Sequence, residues 1–209
     1  MSQLRDLGII IGLNLKSDQL FSKIIPNIFE IKYNKPNEYM KICWELYIKS
    51  QFDKNNSLNG AIFEYILATL LLREELVPIY FKAKVTFVPN INYDILLYTS
   101  NHIPICLTLK VSIRERYKQA DLEAIALKKV HHKSKNYLLS IDNKEVKNLK
   151  SKIEEGTIMG LDKVIDVFDD EFNEIIKSLK EYTYIDPPTV KVIESNHIIT
   201  KEKLKEIKK

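Results

Sequence analysis

The chain has 209 residues, of which 45% are hydrophobic and 29% are charged. This composition is ordinary for a globular protein and excludes collagen-like, disulfide-scaffold and wholly disordered chains. A formal net charge of +4, from 32 Lys and Arg against 28 Asp and Glu, permits an acidic partner such as nucleic acid but does not require one. The length favours one large core with terminal additions.

The cysteines and the N-terminal residues indicate the cellular location to expect. Cys43 and Cys106 lie in apolar stretches, and no Cys or His pair has the spacing of a zinc site. The apolar run at residues 7–13 is far too short to span a bilayer and lacks the order of a signal peptide. We therefore expect free thiols, no membrane segment and a cytoplasmic location.

Two helices are predicted in the first part of the chain. Apolar residues recur at helical spacing over about residues 37–52. A second helix, over about residues 60–76, is apolar around most of its circumference, so it should be largely buried, with Ser57 or Asn59 as its N-cap. The carboxylate of Glu64 inside this buried helix is therefore unusual.

Strand-like segments and further helices follow. Three runs rich in β-branched and aromatic residues, separated by short turns, predict an antiparallel meander over residues 79–88, 91–98 and 103–112. A helix over about residues 116–133 can then place a buried strand at 136–142 parallel to its predecessor. A fifth strand is expected at 164–168, between two polar helices.

This order of elements predicts an α/β fold with a mixed central sheet flanked by helices. We expect a single domain over residues 1–209. Within it, residues 1–56 form an N-terminal helical extension, 57–170 the core, and 171–209 a C-terminal helical and basic extension.

Two charged residues occur in strands that otherwise look buried. Lys110 lies near the end of a predicted strand with no clearly polar face, and Asp94 shares a face with Leu96 in the preceding strand. Each has an ordinary explanation, a lysine reaching water from a strand end or an aspartate in a simple ion pair. The two side chains share a face only if paired residue numbers sum to an even value, which requires an odd-length loop between the strands.

A third charge interrupts a helix face. Ala120, Glu123, Leu127 and Val130 follow helical spacing and form a stripe that would be apolar without Glu123. The alternative is an exposed glutamate held by a polar neighbour on its own helix face, for which Gln119 is the available partner.

Together these charges could form one pocket of carboxylates with one ammonium group. Hard oxygen ligands suit Mg²⁺, which binds through one or two carboxylates and keeps several waters. Lys110 could then hold the attacking water and stabilise negative charge on a phosphoryl group.

The segment KVSIRERYKQADLEA, residues 110–124, resembles type II restriction endonucleases of the EcoRII, PspGI and NgoMIV group. This group is a branch of the PD-(D/E)XK nuclease superfamily in which one catalytic acid lies on the helix after the catalytic lysine. The matching residues, in order along the chain, are Glu64, Asp94, Thr108, Lys110, Arg114, Glu115, Arg116 and Glu123. Tyr93 stands where the superfamily name has proline.

The resemblance implies a PD-(D/E)XK core and Mg²⁺-dependent hydrolysis of double-stranded DNA. Asp94 and Glu123 would be the metal ligands, Glu64 a supporting or second-metal acid, and Lys110 the charge-stabilising residue. It further implies a G·C-rich palindrome of the CCGG, CCNGG or CCWGG type, a homodimer, and a cognate DNA methyltransferase as genetic partner. Thr108 would join the residues that contact DNA.

The charged tripeptide at residues 114–116 supports base reading independently. An arginine can bind guanine O6 and N7 with two hydrogen bonds, and Glu115 can accept one from cytosine N4. The alternative is a solvated helix start with neighbouring charges. Two other functions stay open: a structure-specific repair or recombination nuclease, whose arginines would contact phosphates, and a DNA-binding protein without catalysis.

Overall fold

Eight helices and seven strands make up the part of the chain that the computed structural model describes, residues 2–10, 15–88, 90–186, 193–195 and 197–207. The helices are α1 (Gln3–Asp6), α2 (Lys16–Ile24), α3 (Pro36–Lys49), α4 (Asn56–Arg73), α5 (Arg116–Val130), α6 (Asn143–Glu154), α7 (Asp170–Leu179) and α8 (Lys201–Ile207). The strands are β1 (Ile79–Val85), β2 (Tyr93–Tyr98), β3 (Pro104–Lys110), β4 (Lys135–Ser140), β5 (Lys163–Asp166), β6 (Ile193–Glu194) and β7 (His197–Ile199). None of the helices in these ranges is long and apolar enough to cross a membrane.

The strands form one mixed sheet in the order β5, β4, β3, β2, β1, β6, with β7 also paired to β1. Strands β1, β2 and β3 are antiparallel neighbours, as the short links predict. Helix α5 returns the chain so that β4 pairs with β3 in parallel, and β5 continues the parallel half. The predicted α/β fold with a mixed central sheet is confirmed.

Two features differ from the expectations. The N-cap of α4 is Asn55, whose side chain accepts a hydrogen bond from the Leu58 amide at 2.9 Å, so the predicted caps Ser57 and Asn59 are wrong and lie inside the helix. The second feature is the pair of short strands β6 and β7, which occupy a segment predicted as a helical and basic extension. Strands of two or three residues carry no periodicity that a sequence could reveal.

One face of the sheet is covered by α4 and the N-terminal helices. Buried residues of α1, α2 and α3, such as Leu4, Phe21 and Tyr39, belong to the same hydrophobic core as Ile66 of α4 and Ile95 of β2. The N-terminal helices therefore contribute to the main core, and α4 is buried along most of its length as predicted.

The opposite face of the sheet is covered by α5 and α6. Ala120 and Ala124 of α5 pack with Leu149 of α6 against Leu138 and Val164 of the parallel strands. The small alanine side chains let α5 lie close to its neighbours, and the segment around Gly160 approaches the α5 backbone directly: a Cβ there would lie 2.3 Å from the Asp121 carbonyl oxygen.

Gly160→Ala should therefore destabilise the protein by about 1–3 kcal/mol, because neither backbone can move without repacking the core. The matched control is Gly60→Ala in α4, where a Cβ would meet nothing within 4 Å. That change should stabilise the helix by about 0.5–1 kcal/mol. Urea unfolding of both variants measures the two changes in the free energy of unfolding. Equal changes would contradict the close approach at Gly160.

Candidate active site

Asp94 and Lys110 come together because of the register of β2 on β3. Ile95 pairs with Leu107 and Leu97 with Ile105, so paired residue numbers sum to an even value. The connection between these strands, residues 99–103, has the odd length that this register requires. The Lys110 Nζ lies 3.6 Å from the Asp94 Oδ2, so the predicted juxtaposition is confirmed.

Asp94 is held by three groups. Its Oδ1 accepts a hydrogen bond from the Lys82 ammonium at 2.7 Å, and its Oδ2 accepts one from the Leu109 amide at 3.0 Å. The third group is Lys110. Because the Asp94 side chain is only 13% exposed, these partners replace most of the water that an ionised carboxylate needs.

Lys82 of β1 was not predicted as a site residue. Its ammonium also donates to the Glu64 Oε1 at 2.7 Å, so it bridges the two carboxylates. In the sequence, Lys82 and Lys84 alternate with apolar residues as on any half-exposed strand, which gives no signal. The signal lies in the register, since continuing the β1–β2 pairing places Lys82 directly opposite Asp94.

The backbone at Lys82 is irregular. Its φ is +45°, a left-handed conformation that costs a non-glycine residue about 1–3 kcal/mol. The alternation of buried side chains changes here, because Tyr80 and Ala83 pack in one core cluster while Phe81 packs in the other. In a regular strand Lys82 would share the face of Tyr80 instead of reaching Glu64 on α4.

A similar break occurs in β2. Tyr93 and Leu96 pack in the same core cluster although their numbers differ by an odd value, whereas Ile95 packs in the other cluster. Regular alternation is therefore interrupted between Tyr93 and Ile95, and Asp94 lies at the interruption. The two breaks face each other across β1 and β2.

These groups lie in a cleft of about 270 Å³. The cleft is lined by residues from the start of α4, the middle of β1, the start of β2, the end of β3 and the turn into α5: Asn56, Asn59, Gly60, Glu64, Lys82, Asp94, Leu109, Lys110, Val111, Ser112 and Arg116. The cleft is thus open to a ligand at a place where four charged side chains converge.

The two carboxyl groups of the cleft have opposite pKa shifts. Burial raises the pKa of Asp94, but the ammonium groups of Lys110 and Lys82 outweigh it and bring the pKa below the ordinary 3.8. Burial dominates at Glu64, where Lys82 offsets only part of the effect, and the pKa lies above the ordinary 4.5. Asp94 is therefore the carboxylate kept ionised most firmly.

Glu123 on α5 is not among the side chains that line this cleft. Its Oε1 accepts a hydrogen bond from Gln119 at 2.7 Å, the contact expected of a glutamate held by its own helix. Burial raises the pKa of Glu123 above its ordinary value, and the Gln119 hydrogen bond and the charge of Lys110 offset only part of this effect. The charge of Lys110 therefore reaches this carboxyl group. Its assignment as a metal ligand stays a prediction.

The predicted DNA-contacting residues differ in accessibility. Arg114, Glu115 and Arg116 are exposed, and Arg114 has a φ of +43° at the turn into α5. Glu115 pairs with Lys118, and Arg116 donates to the Ser112 carbonyl.

Arg114 has no hydrogen-bond or ion-pair partner among the described residues, which leaves its guanidinium available to a ligand. Thr108 is buried, 6% exposed, with its hydroxyl 3.7 Å from the Cys106 Sγ. A contact between Thr108 and DNA stays a prediction.

The donor chemistry of the cleft fits a hard divalent cation. Oxygens of Asp94 and Glu64 already share one cationic group, the Lys82 ammonium. Within the described ranges no cluster of three or more His, Cys, Asp or Glu side chains forms a metal cage. Mg²⁺ does not need such a cage, because it binds through one or two carboxylates and completes its shell with water and phosphate oxygens.

The order of strands and helices corresponds to a restriction-endonuclease-like core. Among solved structures, the chain is similar to the restriction endonuclease PspGI in a complex with substrate DNA. The likeness covers 94% of this chain and 92% of that one, with a TM-score of 0.55 and 15% sequence identity, so it concerns the fold. No family model and no curated protein matches the sequence.

The opposite pKa shifts of the two carboxyl groups can be measured by NMR. The Asp94 carboxyl carbon should titrate below pH 3.8 and that of Glu64 above pH 4.5. In Lys110→Met the pKa of Asp94 should rise. The control is Lys128→Met, which removes a lysine paired with Asp162 at 2.8 Å and should leave Asp94 unchanged.

A lowered pKa in the folded state also fixes the sign of the pH dependence. The stability contributed by Asp94 is complete above its unfolded pKa of about 3.9 and is lost as the pH falls through the lower folded value. An Asp94 pKa that is the same with and without Lys110 would contradict this account of the site.

Proposed function

We propose that this chain is a type II restriction endonuclease, which cleaves double-stranded DNA at a specific sequence with Mg²⁺. The observation that carries the proposal is the meeting of Asp94 and Lys110 beside Glu64, in an open cleft of a restriction-endonuclease-like fold. Acids and an amine placed together in a cleft, at a cost in desolvation, are typical of a catalytic site.

In this proposal Asp94 and Glu123 hold the metal ion, and Glu64 is a supporting or second-metal acid. Bound Mg²⁺ would lower the pKa of a coordinated water and offset negative charge on the scissile phosphate. Lys110 donates hydrogen bonds to the attacking water and stabilises the charge that develops on the phosphoryl oxygens. Asp94 positions Lys110 and stays ionised because of its lowered pKa.

Sequence reading is assigned to the turn into α5. Arg114 is exposed and unpaired among the described residues, so it can bind a guanine edge with two hydrogen bonds. Arg116 lines the same cleft as the proposed catalytic residues, so base reading would take place next to cleavage. Glu115 would accept a hydrogen bond from cytosine N4 once its ion pair with Lys118 is broken.

We further propose a G·C-rich palindromic target of the CCGG, CCNGG or CCWGG type. A two-fold symmetric target requires two copies of the site, so a homodimer is the expected active form. A cognate DNA methyltransferase would protect the host genome as a genetic partner. These assignments rest on the resemblance of residues 110–124.

Digestion of a sequenced plasmid tests the proposal. With Mg²⁺, purified protein should produce fragments whose mapped ends share one G·C-rich sequence, and EDTA should prevent cleavage. Ends that cluster at junctions or distorted DNA would favour a structure-specific nuclease. Binding without cleavage at any Mg²⁺ concentration would favour a non-catalytic DNA-binding protein.

Lys110→Ala should abolish cleavage and leave specific DNA binding intact, because the ammonium acts on the reacting phosphate and not on the bases. Plasmid cleavage and a gel-shift titration measure the two properties. Lys128→Ala, which removes a lysine of similar burial in the Asp162 ion pair, should cleave normally. Normal cleavage by Lys110→Ala would refute the catalytic role.

Arg114→Ala should weaken binding to the cognate duplex by about 1–3 kcal/mol, the contribution of one bidentate base contact. Binding to a duplex with a substituted G·C pair should change much less. Titrations of both duplexes at several salt concentrations measure the difference. An equal loss on both duplexes, with a reduced salt slope, would instead assign Arg114 to a phosphate.

A further inference from the structure

Lys82 occupies the midpoint between two carboxylates of the proposed site. Its Nζ lies 2.7 Å from the Glu64 Oε1 and 2.7 Å from the Asp94 Oδ1, so neither acid is favoured. The carboxylates are mostly buried, at 20% and 13% exposed, while the lysine side chain is 50% exposed. A half-exposed ammonium group thus reaches two mostly buried carboxylates from the solvent side.

The backbone conformation that points Lys82 at these acids is costly. A left-handed φ in a strand interior is strained, and the break in alternation at Lys82 is what turns the side chain away from the face of Tyr80. Ion pairs of a half-exposed lysine contribute little to stability, so they do not account for this strain. The strain indicates a role in the site rather than in the fold.

We propose that Lys82 is a built-in competitor of the divalent cation for Glu64 and Asp94, a positioning residue that lowers the cation affinity of the site. This inference rests on the proposed function, in which Asp94 is a metal ligand and Glu64 a second-metal acid. A divalent cation at these two oxygens would lie within a few ångströms of the Lys82 ammonium, and two cations at that distance repel strongly in a half-buried cleft. Cation binding therefore requires Lys82 to swing towards the solvent.

Replacing Lys82 by a neutral residue should strengthen cation binding. Lys82→Gln, without DNA, should bind Mn²⁺ about tenfold more tightly than the unmodified chain, a change of about 1.4 kcal/mol. Isothermal titration calorimetry with Mn²⁺ alone measures both dissociation constants. Asp94→Asn should reduce binding in both backgrounds, which assigns the heat to this site.

Lys84→Gln is the matched control for net charge. Lys84 lies two residues further along β1 and is exposed, and no ion pair joins it to a described residue. Lys84→Gln changes the net charge of the protein by the same amount as Lys82→Gln, but Glu64 and Asp94 keep Lys82 as their ammonium partner. The affinity of Lys84→Gln for Mn²⁺ should stay close to that of the unmodified chain.

Thermal unfolding distinguishes competition between Lys82 and the divalent cation from a purely structural role of Lys82. Without cation, Lys82→Gln should melt at a slightly lower temperature, because two carboxylates lose a shared partner whose half-exposed ion pairs contribute little. Saturating Mn²⁺ should then raise its melting temperature more than that of the unmodified chain, since tighter binding stabilises the folded state more. A structural lysine would give the lower melting temperature without the larger rise.

Equal or weaker Mn²⁺ binding by Lys82→Gln would overturn this inference and leave the proposed nuclease activity untouched. Plasmid cleavage by the unmodified chain reports on that activity separately. If neither the unmodified chain nor Lys82→Gln binds Mn²⁺ and the plasmid is not cleaved, both the proposed metal site and the proposed role of Lys82 are wrong.

Discussion

The register of β2 on β3 is the constraint on which the site depends. Apolar side chains fix it on both faces of the sheet, since Ile95 and Leu107 pack in one core and Leu96 and Cys106 in the other. A slip of one residue would exchange these faces at a large hydrophobic cost and would separate Asp94 from Lys110. The charges therefore meet because the surrounding leucines and isoleucines do not allow another pairing.

The charged cleft is also where the sheet is least regular. Buried side chains lose their alternation at Lys82 in β1 and around Asp94 in β2, two positions that face each other. In a regular β1, the Lys82 side chain would lie on the face of Tyr80, away from Glu64. The irregularity at Lys82 brings its ammonium to Glu64 and Asp94 together, so the regular buried strands support the site and the local distortion completes it.

The sequence reveals those parts of the fold that periodicity and burial determine. The meander, the parallel strand after α5 and the anomalous charges at 64, 94 and 110 all follow from patterns over several residues. Lys82 escapes prediction because its role needs a left-handed backbone, which long-range packing sets. The N-cap at Asn55 is missed for a related reason, since several polar residues there could cap and only backbone geometry selects one.

Strands β6 and β7 have a consequence for how two copies of this chain could associate. They pair with β1 and so cover the backbone groups of that sheet edge, which otherwise would offer a template for another strand. The opposite edge is β5, a strand of four residues. Extension of the sheet from one copy into the next through the backbone of β1 is therefore blocked where β6 and β7 pair with it.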